Sequence, residues 1–220
     1  MPEAPALLRL LAWLSPAFPV GSFSYSHGLE SAVHDGLVGD RDELEDWLSG
    51  LLTAGSLWND AVLAAHALRA ADDPVELARL AELADALAGS AERHLETTSQ
   101  GRAFFEAAHT WNGADIEGLP DDCAYAVAFG AAAGGAGIPS EEAIAGLLQA
   151  MISNLLQAAI RLSVIGQSDG VRIAAQLEAE ISASAVRASA ATPGDLGAGT
   201  LLSEIAAMRH ETMYTRLFRS

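Results

Sequence analysis

The chain has 220 residues, half of them hydrophobic, and a formal net charge of −17. All 12 basic residues are arginines, which excludes a phosphate-loop lysine, a Schiff-base lysine and a lysine track along a polyanion. The acidity disfavours nucleic acid as a partner, and the single cysteine, Cys123, excludes an internal disulfide and a cysteine-built zinc knuckle.

Residues 4–14 read as a short leucine-rich helix, stopped by a loop over 15–21 that holds Pro16, Pro19 and Gly21. Asp40 is an acidic cap with Glu43 three residues on. Leu44, Trp47, Leu48, Leu51 and Leu52 then recur at helical spacing. Asp73-Pro74-Val75-Glu76 is a stronger start, with an acidic cap and proline at the first helical position; Leu77, Leu80, Leu83, Ala84 and Leu87 follow on one face. Residues 91–111 continue as helix, 112–120 form a polar connector, and 121–133 make a helix rich in small residues. Pro139-Ser140-Glu141-Glu142 opens a long helix to Val164. Gly166 breaks it, and another helix runs over 167–188. The Pro/Gly stretch 191–199 reads as a flexible linker, followed by a short helix and the tail 208–220.

Strand alternation is nowhere sustained, so the expected fold is all-α: one globular domain of roughly eight to ten helices with a flexible C-terminal tail. Residues 1–190 are expected to form the helical domain, and 191–220 the linker, short helix and partner-binding tail. A basic signal-peptide n-region is lacking and no charge-free apolar run of about 18 residues stands out, so no membrane contact and a cytoplasmic location are expected.

The candidate chemistry is sparse. Glu106 and His109 have the E-x-x-H spacing of di-iron bundles, but no second such pair occurs; a metal-carboxylate helical-bundle enzyme is the alternative this pair carries. His27 and His34, seven apart, lack a clear third ligand. The stretch 130–137 is glycine-rich without the spacing or lysine of a phosphate loop, and reads as close helix packing or a helix end. Ser22, Ser24 and Ser26 near His27 lack a G-x-S-x-G elbow, and Cys123 reads as a small core residue. No catalytic residue, resident metal or cofactor is expected.

Three stretches stand apart. Residues 19–30 are dense in glycine, serine and aromatics, suited to a loop that presents backbone amides and a tyrosine hydroxyl. Gln157 and Arg161 lie four apart on an otherwise apolar helix, where a buried arginine needs a partner within the chain or across an interface. Residues 35–122 hold 19 of the 29 carboxylates, whereas the tail from Met208 carries Arg209, Arg216 and Arg219 against Glu211 alone. Arginine and aromatic residues of this kind carry binding energy at interfaces.

At these stretches the chain resembles the urease accessory protein UreF family. Residues 11–30 match its L-x-x-x-S-P-x-x-P-x-G-x-[FY]-x-[YF]-S-x-G-[LI]-E opening. Residues 154–161 match N-L-x-Q-A-x-[IV]-R, with Gly166 and Gln167 beyond, and 209–220 match R-H-E-x-x-Y-x-R-L-F-R-S. The resemblance implies a non-enzymatic, homodimeric chaperone of nickel insertion. Such a chaperone binds UreD (also called UreH), recruits the GTPase UreG, docks on apo-urease and modulates GTP hydrolysis by UreG. It places Arg209, His210, Glu211, Tyr214, Arg216, Leu217, Phe218, Arg219 and Ser220 on the UreD/UreH face. Pro19, Gly21, Ser22, Tyr25, Ser26, Gly28 and Glu30 fall on a partner or dimer face, and Gln157 and Arg161 on the dimer or UreG-facing surface. Whether Arg161 acts in trans on GTP is left open by the resemblance.

Overall fold

Asp40 and Asp73 cap helices as their positions dictate. Asp40 accepts from the Asp42 and Glu43 amides at 3.0 Å, and Asp73 from those of Val75 and Glu76 at 3.1 Å. Glu43 reaches back past the cap to the Gly39 amide at 2.7 Å. The computed structural model describes residues 4–111, 119–197 and 199–220, and has ten α-helices and no strand among them. They are α1 (Ala4–Trp13), α2 (Leu29–His34), α3 (Arg41–Ala54), α4 (Ser56–Arg69), α5 (Pro74–Ala86), α6 (Ala91–Ala108), α7 (Tyr125–Gly135), α8 (Ser140–Arg161), α9 (Gln167–Ala190) and α10 (Leu201–His210). The expected all-α fold in one globular domain is what the chain adopts.

The glycine-rich stretch is a packing device. A Cβ on Gly130 would come within 2.2 Å of the Ala64 carbonyl oxygen, and one on Gly134 within 2.2 Å of the Leu68 oxygen. The two glycines, four apart, therefore form the stripe along which α7 lies directly on α4, and both helices are largely buried. Around this pair, α8 and α9 form an antiparallel hairpin through the turn at 162–166, and α6 flanks α7. Phe104 of α6 sits at the centre of an aromatic cluster, with ring centroids 5.6–5.8 Å from Trp13, Phe18, Tyr125 and Phe129. Such pairs each add about 0.5–1.5 kcal/mol beyond their buried area. Burial pushes the Cys123 thiol up to about 12, as suits a core residue with no reactive role.

Two expectations change. The stretch 191–199 is pinned. Trp58 Nε1 donates to the Asp195 carbonyl at 2.8 Å, the Gly197 amide to Asn59 Oδ1 at 3.0 Å, and the Gly199 amide to the Ala54 carbonyl at 2.7 Å. Charge-free residues 143–160 make α8 long and apolar enough to cross a membrane by length and composition, although half of that window is buried in the fold. The helix starting at Arg41 ends at Ala54, where Gly55 in extended conformation starts α4. Most of the connector expected over 112–120 lies outside the described residues.

Candidate functional site

Gly21, in the left-handed region at φ 75°, turns the chain into a 3-10 turn over Ser22–Ser24, and an extended Tyr25 follows. This segment receives the tail. The Arg219 amide donates to the Ser24 carbonyl at 2.8 Å, and the Ser26 amide to the Ser220 main-chain oxygen at 2.9 Å, which the Ser26 hydroxyl also reaches. Helix α8 supplies the third side. Arg161 donates to the Phe23 carbonyl at 2.6 Å, and its guanidinium lies over two rings, 3.9 Å from the Phe23 centroid and 4.2 Å from that of Phe218. Asn154, one helical stretch earlier, donates to the Tyr25 carbonyl at 3.3 Å. The opening, middle and final stretches thus meet at one place.

Carboxylates hold the tail from beneath. Glu30, buried on α2, accepts from the Leu217 amide at 2.7 Å and the Phe218 amide at 2.9 Å. Its Oε2 also faces His210 Nε2 at 3.1 Å, while Nδ1 of the same fully buried ring lies 2.6 Å from Glu92. The ring thus lies between two carboxylates, one at each nitrogen. Glu92 takes Arg216 on its other oxygen. Deeper, Glu96 takes His27 Nε2 at 2.7 Å, Arg93 at 2.6 Å and the Ser220 hydroxyl at 2.5 Å. Gly28, at φ 77°, brings α2 against α10 so closely that a Cβ would lie 2.7 Å from the Ala207 nitrogen.

Burial alone would raise the Glu96 pKa, but Arg93, His27 and Ser220 together outweigh it and hold the carboxyl at about 2. Asp60, near Arg93, moves the other way, because burial and the Glu96 charge exceed what Arg93 and His27 return. A carboxyl held below its ordinary 4.5 stabilises the fold above that pH and loses the contribution as the pH falls toward about 2. Urea unfolding of the Glu96→Gln variant, followed from neutral pH into this window, is therefore expected to give a flatter acid limb than the wild type. Parallel limbs would contradict this.

The expected site residues divide into two groups. Ser26, Gly28, Glu30, His210, Phe218 and Ser220 are buried at the junction, and Tyr25 packs beside them. Exposed are Pro19, Gly21, Gln157, Tyr214, Leu217 and Arg219, with Tyr214 wholly so; Ser22 and Arg161 are half-buried. Arg209 pairs with Asp35 at 2.6 Å, and Glu211 accepts the Ala91 amide at the start of α6 at 2.8 Å. The tail expected to be flexible is thus docked, because the acidic body offers carboxylates and carbonyls to its amides and arginines. Of the metal candidates, Glu106 and His109 are exposed near the end of α6, His34 is exposed beside Asp35, and His27 turns inward to Glu96. Among the described residues no group of three or more His, Cys, Asp or Glu side chains is arranged to hold a metal ion.

Sequence reasoning missed the receiving surface on α6, namely Glu92, Arg93 and Glu96. The available signal was compositional: a helix among core helices whose buried residues include Glu96, Thr98 and Gln100 must satisfy them with partners from elsewhere.

The UreF family profile matches residues 38–178. The chain is 58% identical over 215 residues to "Urease accessory protein UreF 1" of Brucella abortus biovar 1 (strain 9-941), covering 98% of this chain and 94% of that protein. It is 54% identical over 219 residues to "Urease accessory protein UreF" of Mesorhizobium japonicum, covering 100% and 98%.

Proposed function

Because the chain belongs to the UreF family of urease accessory proteins, we propose that it serves as a cytoplasmic, non-enzymatic adaptor in urease maturation. In this reading it joins UreD/UreH to the GTPase UreG, and the assembly delivers nickel to apo-urease in a GTP-dependent step, with this chain modulating hydrolysis by UreG. Nickel is cargo of the assembly and the nucleotide belongs to UreG, in keeping with a chain that has no lysine for a phosphate loop.

One observation carries the reading: residues 19–30, 154–161 and 209–220, far apart in sequence, build one surface around Arg161 and Glu30. The side chains of Tyr214, Leu217 and Arg219 point outward from the docked segment and form the UreD/UreH face. The inward His210, Phe218 and Ser220, with the exposed Arg216 paired to Glu92, hold that segment in place. Gln157, exposed on α8, suits contact with UreG or a second copy, and the exposed Leu7, Leu8 and Leu11 of α1 offer apolar surface for a homodimer.

Deleting 209–220 would strip partners from the buried Glu30 and Glu96 and the half-buried Glu92, and confound binding with folding. The cleaner test replaces Tyr214, Leu217 and Arg219 together with alanine. Co-purification with UreD and urease activation are expected to be lost while the unfolding midpoint stays within error of wild type. Retained co-purification would contradict the assignment.

A further inference from the structure

Sharing no residue with the tail cluster, a cavity of about 720 Å³ opens where the C-terminal part of α9 meets the α3–α4 corner. Thr53, Ala54, Trp58, Arg187, Ala191 and Asp195 are among its lining residues. The Arg187 guanidinium lies 4.3 Å from the Trp58 ring centroid and donates one N–H to the Thr53 carbonyl at 3.1 Å. Stacking and this single bond fix the plane of the exposed side chain and, among the described residues, leave the rest of a five-donor fork without a protein partner.

The surroundings are held in place around it. Trp58 is anchored through its indole N–H to the Asp195 carbonyl. The Asp195 carboxylate turns to Thr192, accepting from its amide and hydroxyl at 2.8 Å each. Arg69 reaches the Ser189 carbonyl at 2.7 Å and His66 the Ala191 carbonyl at 3.1 Å, so the end of α9 is satisfied as well. Arg187 makes no ion pair among the described residues, which is notable in a chain of net charge −17. A positioned arginine with free donors, on an aromatic floor, in a cavity of the size that small ligands fill, is a binding arrangement.

We propose that this cavity binds a carboxylate. Arg187 takes the two oxygens side by side, and the Trp58 ring with the Ala54, Ala190 and Ala191 methyls receives the aliphatic stem behind them. A single guanidinium matches a monoanionic head. A phosphate dianion or a polyanion would bring charge that this acidic chain does not neutralise. The same head group is carried by a free short-chain monocarboxylate and by an aspartate or glutamate side chain of a protein segment.

The test uses the full chain labelled with ¹⁵N, with the Trp58 indole N–H as reporter, assigned by its loss in Trp58→Phe. Butyrate, a capped Gly-Glu-Gly peptide and inorganic phosphate are titrated separately at matched ionic strength. Saturable movement of the indole signal is expected with butyrate or the peptide, the tighter of the two naming the source, and not with phosphate. Arg187→Gln is expected to weaken binding at least about tenfold, as losing a charge-assisted bidentate contact does. Arg187→Lys, which keeps the charge without the fork, is expected to fall between and serves if the glutamine variant does not fold. Flat titrations with both carboxylates, equal saturation by phosphate, or undiminished binding by either arginine variant would overturn the proposal.

Discussion

Replacing Glu30 with alanine is expected to cost roughly 3–5 kcal/mol of stability, the scale of removing one partner from a buried charged pair. The side chain is 9% exposed and serves three donors: His210 Nε2 and the amides of Leu217 and Phe218. Its loss leaves the fully buried His210 with Glu92 alone, and leaves two amides of the tail without an acceptor. The tail should loosen before the body unfolds, because its remaining anchors, among them Arg216 on Glu92, Phe218 against Arg161 and Ser220 on Glu96, join it to the body only at its own residues. Urea unfolding gives the stability loss, and trypsin cleavage after Arg216 and Arg219 under native conditions gives the release. Glu30→Gln, which keeps the shape and an acceptor oxygen, should lie between. Wild-type stability and protease resistance in Glu30→Ala would remove Glu30 from its central place.

A comparable loss, at least about 3 kcal/mol, is expected from Gly130→Val, and its cause is steric. A Cβ there meets the backbone of Ala64, which cannot swing aside as a side-chain end would. The α4–α7 contact must open, and both helices are core on most of their faces. Near-UV circular dichroism and the cooperativity of urea unfolding report the change. Gly135 in the same helix is the control: nothing lies within 4 Å of its would-be Cβ, so Gly135→Ala should be neutral or stabilise by up to about 1 kcal/mol. Equal effects at the two positions would show that helix propensity decides the outcome, and not the close approach.

Local signals in the sequence read well because their physics is local. The caps at Asp40 and Asp73, Pro74 at the first turn and the break at Gly166 all involve neighbours within a few residues, and each lies where it was expected. Helix α2 escaped notice because six residues cannot display a period. The stretch at 191–199 and the tail were misjudged for a different reason. Their composition is that of mobile chain, but what holds them is non-local: Trp58 and Asn59 for one, Glu30, Glu92 and Glu96 for the other. The excess of arginine in the tail over the acidic body was visible, and the structure resolves that asymmetry within the chain: Arg209 pairs with Asp35, and Arg216 with Glu92. The family motifs were likewise visible as three separate strings. Nothing in their spacing told that Arg161 lies between the Phe23 and Phe218 rings and so joins all three.

We propose that this junction works as a whole, with residues 19–30, α8 and the tail acting as one binding unit toward UreD. The direct measurement is the affinity for UreD of Arg161→Ala, Phe218→Ala and the double variant, read as a double-mutant cycle. If the stacked pair holds the tail for its partner, either change alone removes the arrangement. The double variant should then lose little more than the worse single one, a coupling of about 1 kcal/mol or more. Losses that simply add, or singles that bind like wild type, would show that the tail meets its partner independently of the body.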